Sequence, residues 1–162
     1  MQVEIHITTT PLANDQLKDF VSFCEKVGSK PIIIELEGEK TQQQPMISKT
    51  VDVEDKAAMV FAIDDLKSQF IRAGYGVARV KLEVDINDKA GGQALFPDYL
   101  GGYYEWHGEV DDSTCDLIRN MTDRQDVHIS QNALKDRSGR RMLTMRQSNS
   151  KYLLMNIHNI VM

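Results

Sequence analysis

The chain has few cysteines, prolines and tryptophans. Its 162 residues include only two cysteines, four prolines and one tryptophan. Two cysteines in a chain of this length do not make a disulfide framework. Cys24 and Cys115 each lie among apolar residues at helical spacing, so we expect both to be buried free thiols. An apolar core must therefore hold the fold together, and the chain is long enough to bury one.

Long apolar runs and an excess of positive charge are also missing. No stretch reaches the roughly 18 consecutive apolar residues that a membrane-spanning helix needs, and residues 1–10 alternate polar and apolar side chains, unlike a signal peptide. The chain carries 19 basic and 24 acidic residues, a net charge of −5, which disfavours binding to duplex nucleic acid through its phosphates. We therefore expect a cytoplasmic protein that binds neither membrane nor duplex nucleic acid.

The first half of the chain predicts strands and helices in a recognisable order. Val3, Ile5 and Ile7 alternate with polar residues, as in a strand with one buried face. The further predicted elements are a helix from Asn14 or Asp15 to Gly28, strands at 31–36 and 46–51, a helix at 55–73 and a strand at 77–86. This order is βαββαβ, the arrangement of ferredoxin-like folds.

The second half repeats part of that pattern after a glycine-rich connection at 87–102. The predicted elements are a strand at 103–110, a helix from Asp112 or Ser113, and a hairpin of strands at 127–133 and 141–147. The apolar tail at 151–162 fits a helix or a strand, and its need for burial predicts a homodimer. We therefore predict an α+β protein of two ferredoxin-like repeats, at 1–86 and 103–162, which share one core and an antiparallel sheet with helices on one face.

The proposed repeat places a Glu-x-His pair at the same position in each half. Glu4-Ile5-His6 aligns with Glu105-Trp106-His107, and Met46-Ile47-Ser48 aligns with Met142-Leu143-Thr144. If the halves pack about a pseudo-two-fold axis, His6 and His107 approach each other with Glu4 and Glu105 beside them. Such a group would serve as an acid/base pair or bind a metal ion through its imidazoles and carboxylates. The alternative is a strand histidine satisfied by a neighbouring carboxylate. Because no close ligand spacing such as His-x-His occurs, we assign no metal site and leave any cofactor open.

A second group combines an imidazole, a hydroxyl and several guanidinium groups. His128 and Ser130 share one face of a predicted strand because Ile129 alternates with them. The hairpin partner brings arginines alongside, and an arginine fork matches a phosphate or carboxylate through two hydrogen bonds. These arginines are Arg137, Arg140, Arg141 and Arg146. The alternative is that residues 136–141 form only a solvated turn.

Two short segments resemble a motif of a known family. His6-Ile7-Thr8-Thr9 and His128-Ile129-Ser130-Gln131 are similar to the His-x-Thr/Ser motif that occurs twice in two-histidine phosphoesterases. The resemblance implies proton transfer by His6 and His128, and phosphate binding by Thr8 and Ser130.

Together these patterns predict a protein that binds a small anionic, phosphate-bearing ligand on a polar sheet face, with phosphodiester hydrolysis as its enzymatic form. The predicted catalytic residues are His6, His107 and His128, and the predicted ligand-binding residues are Thr8, Glu105, Ser130, Arg140, Arg141 and Arg146. The alternative function is a protein-interaction module that assembles through the apolar tail.

Overall fold

The computed structural model describes residues 1–36, 42–88, 92, 102–121, 127–135, 139–149 and 151–153. These residues form an α+β fold, which confirms the predicted class. The strands are β1 (Gln2–Thr9), β2 (Lys30–Leu36), β3 (Gln42–Asp52), β4 (Val77–Glu83), β5 (Tyr104–Asp111), β6 (Val127–Asn132) and β7 (Arg140–Gln147), and the longer helices are α1 (Leu17–Lys26), α2 (Lys56–Arg72) and α3 (Asp112–Met121).

The chain divides into two compact units. The first comprises Met1–Ile33 and Gln43–Asp98, and the second comprises Ile34–Gln42 and Tyr99–Met162. β2 contributes its first residues to one unit and its last to the other, so the hydrogen-bonded strand order is β4-β1-β3-β2 in the first unit and β2-β6-β7-β5 in the second. The pairs that β1 makes with β3 and β4 are antiparallel, as are those of β6 with β2 and β7 and of β5 with β7.

The first unit has its core on the apolar face of β1. Val3, Ile5 and Ile7 are fully buried, as the alternation predicts. Phe20 of α1 and Phe70 of α2 join the same cluster. Edge-to-face contacts link Phe70 to Phe20 and Phe23, with ring centroids 6.3 and 5.0 Å apart, so aromatic packing connects the two helices.

The second unit has a smaller core. Leu143 and Met145 of β7 and Ile118 of α3 are buried together, with partly buried Trp106 packed against them. The Trp106 ring lies over Gly108, and a Cβ atom added at that glycine would overlap the ring. Gly108 therefore gives the indole its place on the sheet.

The helix ends follow from local hydrogen bonding. Asp55 caps α2 by accepting a 2.8 Å hydrogen bond from the Ala58 N–H. Asp111 caps α3 in the same way, accepting from the Thr114 N–H at 2.7 Å, one residue before the predicted cap. Gly28 follows α1 with a φ of 64°, a left-handed conformation that glycine adopts without strain. Cys24 and Cys115 are buried free thiols, as predicted.

The described residues include parts of the predicted tail and of the predicted connection. Among the described residues no helix is both long and apolar enough to span a membrane. Residues 151–153 are helical, and the rest of the predicted tail lies outside the described residues. Outside them too lie Arg137 and most of the predicted connection, at 89–91 and 93–101.

Candidate functional site

A polar group lies on β1, on the strand face opposite the first core. Glu4, His6 and Thr8 alternate with the buried Val3, Ile5 and Ile7. His6 is flanked on both sides, by Ser48 of β3 and Lys81 of β4. Sequence alternation predicts this face correctly, but not its burial, because His6 and Thr8 are each only 8% exposed.

The His6 ring lies between two carboxylates. Its Nε2 atom is 3.4 Å from Glu4 Oε1 and 3.4 Å from Glu83 Oε1. Neither ring nitrogen has a hydrogen-bond partner among the described residues, and 3.4 Å exceeds the usual length of such a bond, about 2.7–3.2 Å. The Ser48 hydroxyl donates to Glu4 Oε1, and Lys81 Nζ forms an ion pair with Glu83 Oε1.

Glu83 is ionised at neutral pH although it is partly buried. Removal from water acts to raise the pKa of this carboxyl group, but contacts with His6 and Lys81 outweigh it and lower the pKa to about 2. The group formed by Glu4, His6 and Glu83 therefore contains a partly buried carboxylate next to an imidazole that has no hydrogen-bond partner among the described residues.

The second unit carries a row of two histidines and a threonine. His107 of β5 and His128 of β6 are both paired with Thr144 of β7, one from each side. Directly paired residues point to the same face of a sheet, so the two imidazoles flank a buried hydroxyl. His107 Nδ1 lies 3.0 Å from Thr144 Oγ1, and its Nε2 lies 3.5 Å from Glu105 Oε1.

Arg146 lies at the next position on this face and is held from two sides. Its Nη2 donates to Glu105 Oε1 at 3.3 Å, and its guanidinium carbon lies 5.5 Å from the centre of the Tyr103 ring, a cation–π contact. The Glu105 side chain is only 9% exposed. The Arg146 Nε atom is buried, yet no described residue accepts a hydrogen bond from it.

The other predicted ligand-binding residues are distributed unevenly. Ser130 is buried and lies two positions along β6 from His128, on the same face. Arg140 forms a 3.2 Å ion pair with Glu109 at the exposed end of the hairpin. Arg141 pairs with Val110 and alternates with Arg140 and Arg146, so it points to the opposite face, where it lies 3.5 Å from Asp112.

The second unit thus places six of the predicted residues on one sheet face. These are Glu105, His107, His128, Ser130, Arg146 and, at the exposed end, Arg140. His6 and Thr8 belong to the first unit. Sequence reasoning missed Glu83, Thr144 and Tyr103 as site residues. The signal for Glu83 and Thr144 was strand pairing, because each lies directly opposite a residue of a predicted group.

Comparison with known proteins adds no family assignment. No protein-family model matches the chain, and no curated protein matches it in sequence. Any functional conclusion must therefore rest on the chemistry of these two groups.

Proposed function

We propose that the second unit binds a small anionic, phosphate-bearing ligand on the sheet face that carries Arg146, His107, His128 and Ser130. One observation carries the proposal. Glu105 and Tyr103 hold the Arg146 side chain in place, while its buried Nε–H has no acceptor in the described part of the protein. A buried donor without a partner destabilises a protein by about 1–3 kcal/mol, and a ligand oxygen would supply the missing acceptor.

The neighbouring groups suit a phosphate oxygen. His107 and His128 lie on either side of Thr144, and an imidazole is able to donate a hydrogen bond or, when protonated, to add positive charge. Glu105 neutralises part of the Arg146 charge but also orients it, so the guanidinium loses little side-chain entropy on binding. The proposed contacts no longer include Arg141, which points to the other face.

An enzymatic form of this proposal uses the histidine pair. Two imidazoles next to a bound phosphodiester are able to remove and return a proton, as general acid/base catalysis requires. His107 and His128, both opposite Thr144, would take these roles. Hydrolysis of a generic phosphodiester by the wild type, together with its loss in His128→Ala, would support this form. Full activity in that variant would refute it.

The two units also support the proposed repeat. His6 pairs with Ser48, Ile7 with Ile47 and Thr8 with Met46. In the second unit His107 pairs with Thr144, Gly108 with Leu143 and Glu109 with Met142, so residues that are aligned in sequence have the same pairing register in each unit. We propose that both units follow a ferredoxin-like pattern, complete in the first and shortened in the second.

Calorimetry tests ligand binding. The full chain is titrated with pyrophosphate and with linear and cyclic dinucleotides. We expect heat of binding for at least one of them. Arg146→Gln should weaken binding roughly 10- to 100-fold, since a hydrogen bond to a charged group contributes about 1.5–3 kcal/mol.

Arg119→Gln is the matched control, because Arg119 is a more exposed arginine on α3 that pairs with Asp116. It should bind like the wild type. Circular dichroism checks that each variant is folded. Absence of heat with every ligand, or equal affinity in Arg146→Gln and wild type, would refute the proposal.

The alternative of an assembly module rests on the apolar tail, and light scattering of Ile157→Asp would reveal a dimer that depends on it.

A further inference from the structure

The structure assigns a second site, in the first unit: we propose that Glu4, His6 and Glu83 bind a divalent transition-metal ion, with zinc as the probe. Each residue offers one ligand atom, and the three atoms lie within 4.8 Å of one another. None of these three donors belongs to the residues proposed to contact the anion.

Two buried atoms in this group lack a well-formed hydrogen bond. The His6 side chain is 90% buried, given its 10% exposure, and its Nε2 atom has no hydrogen-bond partner among the described residues. Glu83 Oε1 is buried as well, and no described group donates a well-formed hydrogen bond to it. A metal ion placed between these atoms would coordinate the His6 nitrogen and share the Glu83 oxygen with the Lys81 ammonium group.

The distances agree with those of a small four-coordinate ion. Zinc binds imidazole nitrogen and carboxylate oxygen at about 2.0–2.2 Å, and its structural sites are tetrahedral. Two ligands of a tetrahedral ion at that radius are about 3.4 Å apart. The Nε2 atom of His6 is 3.4 Å from each of the two carboxylate oxygens. These spacings are too long for good hydrogen bonds but match two edges of a tetrahedron.

The donor set narrows the choice of metal. Imidazole nitrogen suits zinc, iron, nickel and copper, whereas sites for calcium and magnesium consist of oxygen donors. Two carboxylates would offset the charge of a divalent ion. Three protein ligands also leave a fourth position for water, as in catalytic zinc sites.

Groups around the ligands would fix their orientation. The Ser48 hydroxyl donates to Glu4 Oε1, and Lys81 forms an ion pair with Glu83 Oε1. A carboxylate oxygen has two lone pairs, so it accepts such a contact and still coordinates a metal. Partners of this kind orient metal ligands and raise the affinity of a site.

Zinc titration of the full chain tests the site. The protein is stripped with a chelator, and zinc is added in competition with a chromogenic indicator. We expect one zinc ion per chain in wild type. His6→Ala and Glu83→Gln should each weaken binding by more than the roughly 10- to 100-fold loss that follows removal of a group that only orients a metal ligand. Glu54→Gln, the same change at an exposed position before α2, should bind like wild type.

Nitrogen NMR provides a readout that does not depend on affinity. The chain has four histidines, so the ring nitrogens of His6 can be assigned with the His6→Ala variant. On zinc addition we expect the His6 Nε2 resonance to move to the range of a metal-bound nitrogen. The proposal is overturned if no zinc binds, if binding persists unchanged in both ligand variants, or if the His6 resonances do not respond. Glu83→Gln is nearly isosteric, which keeps the test valid even if His6→Ala does not fold.

Discussion

Replacement of Phe70 by alanine should destabilise the protein far more than the same change at Phe61. Both residues lie on α2, but Phe70 is fully buried whereas Phe61 is 76% exposed. Truncating a buried phenylalanine lowers the free energy of unfolding by about 3–5 kcal/mol. Phe70 also packs edge-to-face on two rings, and each such contact adds about 0.5–1.5 kcal/mol.

We therefore expect a loss near the upper limit, about 4–5 kcal/mol, for Phe70→Ala. For Phe61→Ala we expect a change within about 0.5 kcal/mol. Urea unfolding followed by circular dichroism measures both. With a denaturant slope of about 2 kcal/mol per molar, the midpoint of Phe70→Ala should fall by about 2 M at an unchanged slope. If the losses of unfolding free energy in Phe70→Ala and Phe61→Ala differ by less than about 1 kcal/mol, the packing described for this helix is refuted.

Three further predictions concern other parts of the fold. Cys24 and Cys115 should not react with a thiol reagent until the protein unfolds, because both are buried and burial raises the pKa of Cys24 to about 12. Hydrogen bonds from the Thr114 and Ser113 groups lower the pKa of Asp111 from 3.8 to about 2. The stability difference between wild type and Asp111→Asn should therefore be complete above about pH 4 and should disappear as the pH falls towards 2. Gly108→Ala should destabilise the protein by about 1–3 kcal/mol, with a changed emission spectrum of Trp106 in the folded state, and an unaltered spectrum and urea midpoint would contradict the close contact.

Sequence patterns predict the elements well because their signals are local. The alternation of Val3, Ile5 and Ile7 identifies both β1 and its buried face, and the helical spacing of Phe20 and Cys24 identifies the core face of α1. The caps of α2 and α3 are predicted to within one residue, since an aspartate next to a helix start has a defined hydrogen-bonding role. The predicted cap of α1 at Asn14 or Asp15 is wrong, because both residues lie inside a short 3-10 helix, Asn14–Gln16, that precedes α1. The arrangement of these elements as two ferredoxin-like repeats stays a proposal.

The candidate sites are harder to predict because they depend on pairing between strands. Alternation shows that His6 shares a face with Glu4, but only the β1–β4 register brings Glu83 beside it. Similarly, only the β5–β7 and β6–β7 registers place Thr144 between His107 and His128. Neighbouring residues of a strand point to opposite faces of the sheet. Arg141 directly follows Arg140, so the two arginines predicted to bind one ligand lie on different faces.

The sequence also does not predict that the polar side chains of these strands are buried. A strand face made of histidine, threonine and serine suggests contact with water, yet His6, Ser48 and Thr144 are each less than 10% exposed. Exposure is set by the tertiary surroundings of a residue and not by its own alternation. Buried polar atoms without partners are uncommon in folded proteins, which is why Arg146 and His6 become the focus of the two proposals.

The most direct test of the proposed function is the NMR signal of the Arg146 side chain during titration with pyrophosphate. The Nε–H resonance is assigned by its loss in Arg146→Gln. If a phosphate oxygen accepts the hydrogen bond that no described residue accepts, this resonance should shift progressively and saturate. A resonance that stays in place up to millimolar pyrophosphate, dinucleotide or cyclic dinucleotide would contradict the assignment of this sheet face to an anionic ligand.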